Sequence, residues 1–242
     1  MKNIAGKIIL TVCAAAVAFC GWNIYQSYQD IHAVKNTTSQ FVTQVNATEE
    51  EPVKSPVSYT ELHENNTDYR GWIWFDSGLI SLPIMQADEN QYYLNHNLNK
   101  ENDMCGEPFI DAANSLTDQN ITIYGHTVFQ DSNDLMFTPL KKLLDQQTFD
   151  QNQRFYIEWA DGIRTYQIFA VCDIDYAEDS WNYTQNIFQT DKNFYTYVHA
   201  ARKHSSVTAD IDVAATDQLV TLQTCTELSS TKRTIIVAKE IK

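Results

Sequence analysis

Along most of this chain apolar positions recur every second residue in short runs, and polar or turn-forming residues break the runs. That period belongs to strands whose alternate side chains face a core. Such runs extend from Trp72 to Phe75, Leu79 to Met85, Pro108 to Asp111, Ile121 to Tyr124, Arg154 to Trp159 and Ile163 to Phe169, and the chain closes with Leu219 to Cys225 and Arg233 to Ala238. Asp161-Gly162 between two alternating runs predicts a tight hairpin. Pro83, which cannot donate to a ladder, predicts an edge or a bulge. Helical spacing is confined to Thr60 to Asn66, with Thr60 as N-cap, to Leu135 to Leu144, and to Lys192 to His204, where Phe194, Val198 and Ala201 share one face. The last of these lies inside a long connection, Asp173 to Gln218. Short strands without βαβ alternation predict a mainly β fold, a closed antiparallel barrel or a sandwich decorated by helices.

The N-terminus departs from this pattern. Lys2 and Lys7 precede an uncharged apolar segment from Ile8 to about Tyr25, with Trp22 and Tyr25 at its far end. As a helix it would be about 27 Å long at ~1.5 Å per residue, near the lower bound for a hydrocarbon core of ~30 Å. Lysines on the short leading side place that side in the cytoplasm, and the aromatic pair suits an interface. The expectation is a single-pass anchor over residues 1–26 with the rest of the chain outside the cell. Ala16-Val17-Ala18 also has the form of a cleavage site, and Cys20 would end a lipoprotein signal, although Phe19 is too large for the residue before it. Residues 27–58, rich in Thr, Gln, Asn, Glu and Ser, read as a polar stalk, and the folded domain is expected over 59–242.

Composition narrows the function. With 31 acidic against 17 basic side chains in 242 residues the formal net charge is −14, which excludes the counterion-displacing binding that nucleic acid requires; no nucleic-acid partner is expected. No Gly-rich phosphate loop and no Cys/His pairing at metal-ligand spacing occur, so neither a cofactor nor a metal is expected. Three of the five cysteines, Cys105, Cys172 and Cys225, fall in the exported part. An odd number does not make a disulfide framework. Cys172 sits in an apolar run and reads as core, whereas Cys225 ends a strand in polar surroundings.

A thiol at a strand end needs a proton carrier, and His126 ends the run Ile121-Thr122-Ile123-Tyr124-Gly125-His126 in the same way. A Cys–His pair is the minimum for thiol acyl chemistry: the thiolate attacks a carbonyl and the imidazole protonates the leaving amine. Arg233, opening the strand after Cys225, supplies a permanent cation for the oxyanion. Taken singly each residue has an ordinary structural reading, so the inference rests on the three together.

The segment Thr221-Leu222-Gln223-Thr224-Cys225 resembles the TLxTC signature of the sortases, and Tyr124-Gly125-His126 their catalytic-histidine segment. The likeness runs from about Gly71 to the end and is strongest to class B members, in Gly71-Trp72-Ile73, Tyr92-Tyr93-Leu94-Asn95, Thr231-Lys232-Arg233 and the helix-bearing connection. It implies a closed eight-stranded sortase-type β-barrel with N-terminal helices and a helix between strands 6 and 7. It also implies a membrane-anchored cysteine transpeptidase that cleaves a C-terminal sorting signal after Thr through a thioester on Cys225. The acyl group would pass to a cell-wall amine, either a peptidoglycan precursor or cross-bridge or a pilin lysine. His126 would be acid and then base, and Arg233 would hold the carbonyl. By the same resemblance Asn90, Leu94, Tyr183, Gln223 and Thr224 would contact substrate. Gln223 stands where Ser is commoner and Glu227 where some members have Asp; Glu227 is not counted as catalytic. An exported thiol peptidase using the same residues, or a wall-binding barrel without catalysis, are the alternatives.

Overall fold

The computed structural model describes residues 13, 15–26, 29, 53–129, 135–227 and 230–241. The chain divides into two compact units, Met1–Gln40 and Phe41–Lys242. In the first, residues 15–26 are helical. The expected membrane segment falls partly outside the described residues, and among the described residues no helix is long and apolar enough to cross a membrane.

The second unit is a closed barrel of eight strands in the order β1-β2-β3-β4-β7-β8-β6-β5. The strands are β1 Tyr69–Trp74, β2 Ser81–Met85, β3 Phe109–Ile110, β4 Asn120–Tyr124, β5 Arg154–Trp159, β6 Gly162–Asp175, β7 Leu219–Cys225 and β8 Lys232–Ile241. The barrel is not wholly antiparallel as the pattern predicts: β2 pairs with β3 and β4 with β7 in parallel. Parallel neighbours need long crossovers, and residues 86–108 and 125–218 supply them. The β2–β3 pairing is confined to Met85 and Phe109, so Pro83 lies on a flank of β2 where no ladder donor is required.

Among the described residues of this unit three α-helices flank the barrel: α1 Tyr59–Asn65, α2 Gln146–Asp150 and α3 Asp191–His204. The first begins two residues earlier than Thr60 as N-cap predicts, with Ser58 at the N-cap. The stretch expected to be helical from Leu135 is a 3-10 helix over Thr138–Leu144 with Pro139 in its first turn; proline fits that position because its missing N–H is unneeded there. Helix α3 is capped by Thr190, whose hydroxyl accepts from the Asn193 N–H, and Arg202, Lys203 and His204 close it where the dipole favours cations. Its buried face, Phe194, Tyr197, Val198 and Ala201, packs on the outer surface of β6, β7 and β8 at Phe169, Cys172, Ile174, Leu219, Ile235 and Val237. Burying each large apolar side chain stabilises by ~1.5–3 kcal/mol, which fixes α3, and the connection preceding it, against the strands that carry the candidate site.

Candidate active site

Strand register places the three sequence-derived residues on, or just past the end of, neighbouring strands. In β4 and β7, Thr122 faces Thr221 and Tyr124 faces Gln223; His126 follows two residues after Tyr124, where β4 has ended, and Cys225 two residues after Gln223, at the end of β7. The Gly125 N–H continues that ladder by donating to the Gln223 carbonyl at 3.0 Å. Between β7 and β8, Cys225 is directly opposite Arg233. Directly opposed residues share a face of the sheet, so Cys225 and Arg233 lie on one face of neighbouring strands spaced ~4.8 Å, and His126 stands just past the end of β4, the strand on the other side of β7. All three are half-buried.

His126 is held by backbone on both sides. A Cβ on Gly125 would lie 2.4 Å from the Phe137 ring, so only glycine lets the chain turn over that fully buried ring. The Phe137 N–H donates to the His126 carbonyl at 3.0 Å. The imidazole Nε2 lies 2.7 Å from the Leu94 carbonyl oxygen; a carbonyl only accepts, so Nε2 carries the proton and Nδ1 is the free position of a neutral ring. Leu94 ends the 3-10 turn Tyr92–Leu94, and Gly106, at φ +57°, passes so close beneath it that a Cβ would be 2.2 Å from the Tyr93 oxygen and 2.7 Å from the Leu94 oxygen. The loop is further tied by Tyr93, whose hydroxyl donates to Asp68 at 2.9 Å and accepts from Asn66 at 3.0 Å, and by the Lys100–Asp68 ion pair.

Thr127, immediately after the histidine, joins the two strand ends. Its hydroxyl donates to the Cys225 carbonyl at 2.6 Å and lies 2.7 Å from the Thr224 hydroxyl. One hydroxyl has one proton, so Thr224 is the donor in the second bond. On the other side of Cys225 the Thr226 N–H donates to the Lys232 carbonyl at 3.1 Å. The backbone groups flanking the thiol are thus spent within the sheet, and Arg233 is the cation beside it.

Arg233 stacks its guanidinium 4.7 Å above the Tyr176 ring, while Nη1 donates to the Ser230 and Lys232 carbonyls at 2.9 and 2.8 Å. Tyr183 donates to Gln223 Oε1 at 3.1 Å. Burial raises the Tyr183 phenol, with the charge of Arg233 pulling the other way; the hydroxyl remains a donor. Its backbone carbonyl accepts from Tyr197 of α3, which also contacts Thr221. Trp181 lies against Tyr183 and Tyr197 and stacks on His204, itself 3.2 Å from Asp179. The connection after β6 is in this way anchored to α3 and overhangs Gln223.

The other expected residues occupy distinct places. Leu94 is exposed beside His126. The Asn90 side chain accepts from the Ala112 N–H at 2.6 Å and braces the loop after β2. Thr224 is 1% exposed, its hydroxyl against that of Thr127. Glu227 is exposed and pairs with Lys232 at 3.0 Å. Cys172, buried under α3, donates to the Ala201 carbonyl at 3.3 Å, and burial pushes its thiol up to about 12, which leaves it inert. Thr127, Tyr197 and the Leu94 carbonyl escape sequence reasoning. A backbone carbonyl carries no residue-type signal, and the register that brings Thr127 to Cys225 spans two strands nearly a hundred residues apart.

Residues 76–241 match the Sortase domain family model. The curated Sortase B of Listeria monocytogenes is 28% identical over 232 residues, covering 93% of this chain and 91% of that protein. Among solved structures, sortase B of Clostridium perfringens aligns with a TM-score of 0.70 and 32% identity over 76% of this chain and 100% of that one. A Staphylococcus aureus sortase B–substrate complex aligns with a TM-score of 0.70 and 25% identity, over 88% of this chain and 92% of that one.

Proposed function

Because the chain belongs to the sortase family and is a cysteine transpeptidase of the class B kind, we propose that it cleaves a C-terminal sorting signal after threonine and joins the new carboxyl end to a cell-wall amine. The single observation that carries this reading is that Cys225 at the end of β7 is paired with Arg233 of β8 while His126 follows the end of the adjoining strand β4. In this arrangement, Cys225 passes its proton to His126 and its sulfur attacks the threonine carbonyl carbon. Arg233 faces the oxygen as it gains charge. The C–N bond then breaks, the His126 Nδ1 proton goes to the departing amine, and a thioester remains. The incoming amine gives a proton to His126, attacks the thioester carbon and releases the thiolate. Asn90, Leu94, Tyr183 and Gln223 form the peptide groove. Thr224, buried beneath Cys225, takes a supporting position.

The acceptor is a glycine-type or other primary amine of the wall, and the donor a surface protein carrying a sorting signal. The family is one of cell-surface enzymes, and residues 1–26 act as a single-pass anchor with a cytoplasmic N-terminus, 27–58 as a stalk and 59–242 as the catalytic domain outside. The test is to incubate the purified protein with signal peptides of the Asn-Pro-x-Thr and Pro-x-Thr-Gly types, with and without triglycine or hydroxylamine, and to follow products by mass. Amine-dependent acyl transfer with a thioester trapped on Cys225 is expected. Cleavage that ignores the amine and yields only acid would mean a thiol peptidase. Failure to trap any thioester, with wall binding intact in C225A, would mean a non-catalytic barrel.

A further inference from the structure

We infer that Thr127 is a positioning residue that sets the separation of His126 from Cys225 by clasping the exit of β7 to the exit of β4. The inference rests on the assignment of Cys225 and His126 as nucleophile and proton carrier. Past Tyr124 and Gln223 the two parallel strands leave their ladder, and the last backbone bond between them is Gly125 N–H to Gln223 O. Beyond it Cys225 is still paired with Arg233 of β8, but His126 lies past the end of β4, and no β4–β7 pair keeps the two level. Thr127 closes that gap with one buried hydroxyl, 8% exposed as a residue, whose only proton goes to the carbonyl of the nucleophile's own residue. Thr224, on the residue preceding the nucleophile, completes the clasp by donating into it.

The rest of the loop keeps Thr127 in place. The Val128 N–H donates to the Thr138 hydroxyl at 2.8 Å, Thr127 bridges to Met136, and Phe137 holds the His126 carbonyl. The clasp therefore ends on a fixed segment, and a change at its hydroxyl is felt at the Cys225 carbonyl and the His126 backbone and not absorbed by loop movement. Position matters to reactions of this kind because acyl transfer needs the reacting atoms within about 3–3.5 Å. Thr127 is buried and its hydroxyl is spent on the Cys225 carbonyl and the Thr224 hydroxyl, so its effect belongs in the chemical step and not in peptide binding.

Thr127→Val keeps the shape and removes the donor; Thr127→Ser keeps the donor and removes a methyl. In single-turnover acylation of the full chain by a signal peptide, T127V is expected to lower the acylation rate by roughly ten- to a hundredfold, the range that an ångström-scale misplacement produces, with KM for the peptide unchanged within about twofold. T127S should recover to within about threefold of the parent. T224V, which leaves the bond to the Cys225 carbonyl, should lose less than T127V, and the double variant no more than T127V alone, since groups acting as one unit are not additive. Thermal melting of each variant accompanies the kinetics. If T127V does not fold, T127A, which also removes the donor, carries the test, and an unchanged acylation rate in it overturns the clasp. The clasp is likewise overturned by a T127V enzyme with parental acylation, by a T127S enzyme as slow as T127V, or by a loss that falls wholly in KM. A parent protein that forms no thioester refutes the catalytic assignment instead, so the two failures are distinguishable.

Discussion

Replacing Gly125 by alanine puts one methyl group where the fold has none to spare. The added Cβ would lie 2.4 Å from Cγ and 2.5 Å from Cδ2 of Phe137, about 1 Å inside the ~3.5–4.0 Å at which carbon atoms rest. Phe137 is fully buried and its own N–H holds the His126 carbonyl, so the ring cannot swing away without dragging on the histidine. Either the ring repacks or the 125–127 backbone lifts. Overpacking of this kind costs about 1–3 kcal/mol of stability, and an ångström of displacement at His126 costs about a hundredfold in rate. Acylation by a signal peptide should thus fall by one to two orders of magnitude in G125A, with a thermal midpoint lowered by several degrees. Adding Phe137→Leu, which shortens the obstructing ring, should restore part of both. A G125A protein with parental acylation, or a double variant no better than the single, would refute the idea that glycine is present to clear that ring.

Three further outcomes follow from the site and the loop behind it. Arg233→Lys keeps the charge but loses the planar fork that lies on Tyr176 and bonds two carbonyls, so most acylation activity should disappear; near-normal turnover would speak against a geometric role. Tyr183→Phe removes the bond to Gln223 and should raise KM for the peptide several-fold with kcat little altered, which steady-state kinetics on a peptide panel would reveal. Glu107 is fully buried, one oxygen accepting from the Leu98 N–H and the other unpartnered, and burial pushes its carboxyl up to about 8. The folded state then holds a proton that the unfolded chain releases near the ordinary carboxylate value. Stability is complete below that value and declines as pH rises toward about 8. Glu107→Gln should flatten this decline in urea titrations run between pH 5 and 8; an identical slope in both proteins would rule out Glu107 as its source.

Much of the barrel is legible because alternation and turn chemistry are local. The Arg154–Trp159 run and the hairpin after it appear where the pattern puts them, although the two-residue turn is Ala160-Asp161, one residue earlier than expected, because Gly162 pairs with Trp159 and opens β6. Boundaries shift where geometry departs from simple alternation. Strand β1 starts at Tyr69, before Trp72, because the register slips between Tyr69 and Gly71, and β6 runs on to Asp175 because β8 pairs with it along its whole length. Parallel neighbours cannot be read locally: nothing in Asn120–Tyr124 says that its partner is Leu219–Cys225. The thiol, imidazole and guanidinium stand out by residue type and strand-end position, while the contacts that hold them do not. The Leu94 carbonyl belongs to every residue type, and Thr127 looks like any loop threonine until register sets it against Cys225.

The order of the strands also sets when the site can come into being. Cys225 and Arg233 lie on one hairpin and meet as soon as that hairpin closes, a microsecond-scale event for an isolated pair. His126 joins them only when β4 pairs in parallel with β7, a contact whose Thr127 and Cys225 ends are 98 residues apart in sequence, and non-local pairing of this sort forms late. A chain still folding therefore carries the Cys225 thiol without the His126 imidazole near it until the barrel is nearly complete. Topology thus times the proposed chemistry: the proposed nucleophile stays unassisted during the interval in which a reactive sulfur would be most exposed to the wrong partner.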